Sequence, residues 1–168
     1  MGKDVEIVRQ MARKLTSDLH HLMRLRDLGT PKTFPRFREI RKVYLELQGL
    51  IFSIQERIPQ IKEGLPDNLA QWVIRQKLTS ISYFTDISYA FVNDPPLALT
   101  SSLGAFDVLQ AEQKAFNETL NAFDMMLMEA GIDDKTADEL DATRTKIESV
   151  LLTIDELLTK SPKVLQEF

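Results

Sequence analysis

Apolar residues recur every three or four positions along almost the whole chain, and this spacing constrains the fold more than any other feature. The clearest run begins at Phe37 and continues to Leu65. Steps of three and four residues place side chains on one face of an α-helix. No segment alternates polar and apolar residues with the period of two that marks a half-buried strand. The sequence therefore predicts an all-α protein.

Five such runs follow one another, and residues that end or interrupt helices separate them. Gly29 follows the first run, Gly64 interrupts the second near its end, and Pro95 and Pro96 follow the third. Long helices joined by short connections lie antiparallel to their neighbours. We expect one domain, 1–168, folded as an up-and-down bundle of about five long antiparallel helices. Their expected ranges are 4–28, 36–63, 68–92, 97–130 and 134–160.

Two prolines influence the expected helix boundaries. Pro59 lies inside the second run, so we expect it to kink or interrupt the helix without loss of the apolar stripe. Ser161 and Pro162 follow the fifth run and are expected to end that helix. A short apolar tail, containing Val164, would then remain after it.

The second helix carries an additional apolar flank beside its main stripe. A helix with one buried face needs only a single stripe. The added width therefore predicts that this helix contacts more than one neighbour. The flank consists of Val43, Leu45, Leu50 and Phe52.

The composition is that of a chain that folds without covalent cross-links. It has 168 residues, 43% of them hydrophobic, and no cysteine. Disulfides and thiolate metal sites are thereby excluded, and a reducing compartment is favoured. The charged residues Lys3, Asp4 and Glu6 do not fit a secretory signal. We expect a cytoplasmic protein.

Charge is distributed unevenly along the sequence. Residues 1–62 contain 13 Lys/Arg and 7 Asp/Glu, whereas residues 63–168 contain 8 and 18. Such an asymmetry affects which partners a protein binds more than it affects the fold. The basic charge is concentrated around the first inter-helix turn, in Arg24, Arg26, Lys32, Arg36, Arg38, Arg41 and Lys42.

This basic segment has two interpretations. It could bind anions, either the phosphates of nucleic acid or acidic lipid headgroups. Alternatively, it could complement the acidic segment 124–141 in the same fold or in a neighbouring subunit. Both interpretations remain open at the level of sequence.

Methionines cluster near the end of the fourth helix. Met125, Met126 and Met128 flank Leu127. Neighbouring helical positions point in different directions, so at least one of these side chains should reach the surface. Methionine makes adaptable contacts, which makes this cluster a second candidate for binding a partner.

The sequence offers no convincing metal or cofactor site. His20 and His21 are the only histidines, and adjacent helical residues point about 100° apart. No Glu-x-x-His pair, phosphate-binding glycine loop or Gly-x-Ser-x-Gly motif occurs. The acidic pair Asp133 and Asp134 stands where a helix begins, so capping explains it better than catalysis. We therefore expect no metal and no cofactor.

Arg13 and His20 are seven residues apart, so they share one face of the first helix. This spacing resembles the Arg-x(4–6)-His pair of the HEPN family of helical ribonucleases. The resemblance would imply RNA cleavage by Arg13 and His20. The family usually has Asn, Asp or His directly after the arginine, whereas this chain has Lys14.

Taken together, these features favour a non-enzymatic helical module for protein–protein interaction or regulation. A protein partner is expected, and a second copy of the chain is one candidate. The two alternatives are an anion-binding protein that uses the basic segment and a ribonuclease similar to the HEPN family.

Overall fold

The protein is an all-α helical bundle, as the apolar spacing predicts. A computed structural model describes residues 2–93, 103–128 and 132–166, and these ranges contain no strand. Over these ranges no helix combines the length and the apolar character needed to cross a membrane. The helices are α1 (Gly2–Asp27), α2 (Phe34–Arg57), a 3-10 turn (Ile58–Gln60), α3 (Leu69–Asn93), α4 (Leu103–Met128) and α5 (Asp134–Gln166).

The chain divides into two compact units. The first unit comprises Met1–Leu28 and Arg38–Phe84, and the second comprises Gly29–Phe37 and Thr85–Phe168. The division into two compact units does not test the expectation of a single domain, which stays a prediction. Each unit is described by itself below.

The boundaries of α1 and α3 lie within two residues of those expected. Gly29 follows α1 and has a φ of 98°, a conformation that glycine adopts without steric cost. The expected beginning of the fourth helix at 97 and its expected end at 130 lie outside the described residues. Within those residues, α4 runs from Leu103 to Met128.

The second helix ends before the expected residue 63, and Pro59 interrupts it rather than only kinking it, which is one of the two outcomes expected there. The α-helix ends at Arg57, and Pro59 lies in the 3-10 turn, whose last bond joins the amide of Ile61 to the carbonyl of Ile58. Proline has no amide hydrogen and its ring clashes with the preceding turn, so the α-helical ladder stops there. Ile61 and Leu65 keep the apolar spacing and are half-buried, although neither belongs to a helix.

The expectation that Ser161 and Pro162 end the last helix is wrong. Helix α5 continues through Pro162 to Gln166. A proline removes only its own hydrogen bond to the residue four positions earlier, and later residues can still donate to carbonyls before them. Val164, predicted to lie in a tail, is therefore part of the helix.

In the first unit, α2 runs antiparallel to α3. The rings of Tyr44 and Phe84 stack with centroids 4.2 Å apart, and Gln48 Nε2 donates to Ser80 Oγ at 2.7 Å. Four residues forward on α2 thus correspond to four residues backward on α3. The register is fixed by one ring stack and one hydrogen bond.

Helix α1 of the first unit runs parallel to α3. Near its beginning, Val5 lies against Gly64, where an added Cβ would approach the Val5 side chain to 3.0 Å. Near its end, the guanidinium of Arg26 lies 4.2 Å from the ring centroid of Tyr83. The three helices therefore follow an up, down, up order. Their buried apolar side chains are Val8, Leu15, Leu19, Leu22, Leu25, Ile40, Leu47, Ile51, Ile54, Leu69, Val73, Leu78, Ile81 and Phe84.

In the second unit, α4 and α5 pack as an antiparallel pair. Gln113 donates to Asp155 at 2.9 Å, and Arg144 donates to Asp124 at 2.6 Å. The hydrogen bond to Asp124 also raises the pKa of Arg144. The buried apolar side chains of this unit are Phe37, Ile87, Phe91, Val92, Leu109, Phe116, Phe123, Met126, Leu140, Ile147, Val150 and Ile154.

Further contacts of the second unit tie the end of α3 to its neighbours. Phe91 stacks on Phe37 with a centroid distance of 4.2 Å, and Phe34 meets the same ring edge-on at 5.9 Å. Asp86 forms an ion pair with Lys146 at 3.1 Å. The apolar end of α3 is thus held by aromatic packing, and its polar side is joined to α5 by a charge pair.

The inner side of α2 generates the first prediction. Replacing Leu47 or Ile54 by alanine should lower the free energy of unfolding by about 2 to 5 kcal/mol, because both side chains are fully buried. Urea unfolding followed by circular dichroism measures the change. Leu45→Ala, on the exposed side of the same helix, is the matched control and, in a dilute sample, should change stability by no more than about 0.5 kcal/mol. Equal losses at all three positions would contradict this assignment of sides.

The start of α5 generates the second prediction. Asp133 Oδ1 accepts a hydrogen bond from the amide of Thr136 at 2.7 Å, which makes Asp133 the helix cap. Asp133→Ala should therefore cost about 1 kcal/mol of stability in the same unfolding assay. Asp138→Ala, at an exposed carboxylate inside the helix, is the control. A loss at Asp138 as large as that at Asp133 would argue against the capping role.

Candidate protein-interaction surfaces

Few large apolar side chains of the described residues are strongly exposed, and two of them lie on the same helix. Leu45 is 54% exposed and Phe52 is 60% exposed. They are seven residues apart on α2, which is two helical turns, so they point in the same direction. Scattered exposed apolar residues are normal at protein surfaces, whereas aligned ones form a patch.

Three further residues extend this side of the helix. Lys42, Gly49 and Glu56 are exposed and follow the same steps of three and four as Leu45 and Phe52. At about 100° per residue, the five positions fall within an arc of about 80°. We call Lys42, Leu45, Gly49, Phe52 and Glu56 the outer face of α2.

The outer face points away from the core of the first unit. The buried residues Leu47, Ile51 and Ile54 lie on the opposite side of α2. Val43 and Leu50, predicted to belong with Leu45 and Phe52 in one flank, are half-buried. The predicted second flank is therefore divided between the margin of the core and the outer face.

The two charged ends of the outer face are open to a partner. Lys42 and Glu56 form no ion pair within the described part of the chain. They lie 14 residues apart, or about 21 Å along the helix. The face thus has a positive end, an apolar centre with a glycine in the middle, and a negative end.

The structure divides the predicted basic segment between the two units. Lys32 and Arg36 belong to the second unit, and the other five residues belong to the first. Arg26 is engaged inside the first unit, since it donates to Asp27 at 3.1 Å and lies over Tyr83. Arg24 and Lys42 are exposed.

Four of the basic residues therefore already have interactions within the protein. Arg36, Arg38 and Arg41, like Arg26, each interact with other groups of the chain. Anion binding by Arg24, Arg26, Lys32, Arg36, Arg38, Arg41 and Lys42 stays a prediction.

The predicted methionine cluster does not form a continuous surface in the part that can be described. Met125 is 70% exposed, whereas its neighbour Met126 is only 6% exposed and belongs to the core of the second unit. The side chain of Met128 lies outside the described residues. Met125 therefore remains as a single exposed apolar residue beside Asp124, which pairs with Arg144.

Arg13 and His20 lie on the exposed side of α1, two turns apart, as their spacing requires. His21 is exposed as well. Within residues 2–93, 103–128 and 132–166, no group of three or more histidine or acidic side chains is arranged to hold a metal ion. RNA cleavage by Arg13 and His20 stays a prediction.

Sequence reasoning missed the outer face of α2 as a surface. Apolar spacing identifies residues that could be buried, and Leu45 and Phe52 satisfy it as well as core residues do. The available signal was Gly49, which lies between them and is disfavoured inside a helix. Charges of opposite sign at equal distances from that glycine were a second signal.

Comparisons with known proteins do not supply a family for this chain. No protein-family model matches it, and neither the search of curated proteins nor the search of solved structures found a match.

Proposed function

We propose that this protein is a non-enzymatic helical module for protein–protein interaction or regulation, and that the outer face of α2 is its contact surface. The observation that carries the proposal is the alignment of Leu45 and Phe52, both more than half exposed, on one side of a helix. Covering such side chains removes apolar surface from water, at about 25 cal/mol per Å². Among the described residues, the core lies on the other side of the helix, so a partner would supply this gain.

The composition of the outer face fits a protein partner better than a phosphate-bearing one. Its centre is apolar and its ends carry opposite charges, with Glu56 at one end and Lys42 at the other, beside Arg38, which has its own contacts in the chain. A surface that binds nucleic acid or acidic lipid needs several cations together. Amphipathic helices, by contrast, are recognised through apolar anchors spaced by three, four and seven residues.

The proposal includes a cytoplasmic site of action, as expected of a chain without cysteine. In that setting the module would act by binding, with α2 presented on a scaffold formed by α1 and α3. The scaffold matters because a helix held in place loses little conformational freedom when its partner arrives.

Photo-crosslinking in the source cell tests the proposal. A photoreactive phenylalanine analogue at position 52 should form adducts with protein, detected as bands of higher mass on a denaturing gel. The matched control places the same analogue at Gln10, an exposed position on α1 of the same unit. We expect no adduct there. The proposed surface would be refuted if the analogue formed no adduct at position 52 or at position 45. Equal adduct yields at positions 52 and 10 would also refute it.

A further inference from the structure

The outer face of α2 is complementary to itself. Lys42 lies seven residues before Gly49, and Glu56 lies seven residues after it. Leu45 and Phe52 lie four residues before and three residues after the same glycine. Rotating the helix by 180° about an axis through Gly49 therefore exchanges the positive end with the negative end and one apolar residue with the other.

We infer that the partner of the outer face is the same face of a second copy of this chain, in an antiparallel arrangement centred on Gly49. This inference rests on the proposed function and names its partner. A two-fold contact uses one surface twice, so residue pairs occur in duplicate. Lys42 of each copy would meet Glu56 of the other, and Leu45 would pack beside Phe52.

Charge selects the antiparallel arrangement over the parallel one. In a parallel pair with the same residues in register, Lys42 would face a second Lys42, and Glu56 a second Glu56. Such like-charge contacts are unfavourable and serve to reject an arrangement. In the antiparallel pair, both end contacts join opposite charges. Lys42 and Glu56 are available for this because neither forms an ion pair within the described part of the chain.

Gly49 supplies a second, independent observation. Its φ is not positive, so its backbone conformation does not require glycine. A Cβ added to it would find nothing within 4 Å, so the packing of the described residues does not require glycine either. A glycine inside an exposed helix is destabilising. A close approach by the backbone of another helix would explain its presence, and the centre of the proposed contact is where two helices come nearest.

The size of the surface predicts the strength of association. The outer face spans about 21 Å of one helix. A contact of this extent lies at or below the lower end of specific interfaces, about 1,200 Å² in total. We therefore expect a reversible dimer whose population rises with concentration.

Sedimentation velocity over a wide range of protein concentration tests the dimer through its charges. Lys42→Glu and Glu56→Lys should each weaken self-association about tenfold, because each replaces two attractive contacts by two repulsive ones. Mixing the two variants should restore dimers, since one chain then offers two acidic ends and the other two basic ends. Lys62→Glu, an exposed charge outside the outer face, is the control and should leave association unchanged.

Restoration by mixing is the decisive result, because a variant that merely misfolds cannot be rescued by another variant. A parent protein that remains monomeric into the millimolar range would overturn the inference. So would variants that associate like the parent, alone and mixed. If position 52 nevertheless crosslinks to a different protein in the cell, the proposed function stands and only the identity of the partner is wrong.

Two substitutions of Gly49 should have opposite effects, because one should stabilise the monomer and the other should weaken the dimer. Gly49→Ala should raise the Tm of the monomer by about 1 to 4 °C, because alanine favours the helix and nothing in the described structure obstructs its Cβ. Gly49→Leu should weaken dimerisation more than tenfold, since it separates the two backbones, without loss of helical signal. Dimerisation of Gly49→Leu equal to that of the parent would exclude an axis at Gly49.

Discussion

Burial of one side of α2 is the constraint from which the rest of the first unit follows. Leu47, Ile51 and Ile54 are removed from water, and their burial fixes the rotation of the helix about its own axis. Once this rotation is fixed, every other residue of α2 is assigned a direction. Leu45 and Phe52 are as apolar as the buried residues, but they lie on the surface because Leu47, Ile51 and Ile54 already occupy the side that faces the core.

Much of the fold could be predicted from the sequence, because five amphipathic runs leave few alternatives to a helical bundle. The differences concern two prolines. Pro59 interrupts α2, where we expected a kink or an interruption and a helix to residue 63, and Pro162 lies within α5, where we expected an end. A proline removes the same hydrogen bond in both places. The outcome depends on what the following residues do, and their conformation is set by packing that spacing alone does not reveal.

The candidate surface was harder to predict from the sequence than the fold was. Spacing shows which residues share a side of a helix, but it does not show which of two apolar sides faces the core. The additional flank of the second helix was interpreted as contact with more than one neighbour, yet within the described chain Phe52 remains mostly exposed. Of the residues that attracted attention in the sequence, Arg26 contacts Asp27 and Tyr83, and Met126 is buried, whereas Met125 is exposed. Only the exposed fraction of each side chain in the structure distinguishes these cases.

The hydrogen bond between Gln48 and Ser80 has a mechanical consequence. In some conformational switches one element slides past another by a full helical turn. Such a step in the first unit would place Gln48 opposite Phe84 or Tyr44 opposite Ser80. The hydroxyl of Ser80 would keep its bond to the carbonyl of Lys77, but it would lose the hydrogen bond that Gln48 donates to it. The hydrogen bond and the ring stack therefore both oppose translation of α2 along α3. A partner that docks on the outer face, as proposed, would then meet a helix held in register rather than one free to slide.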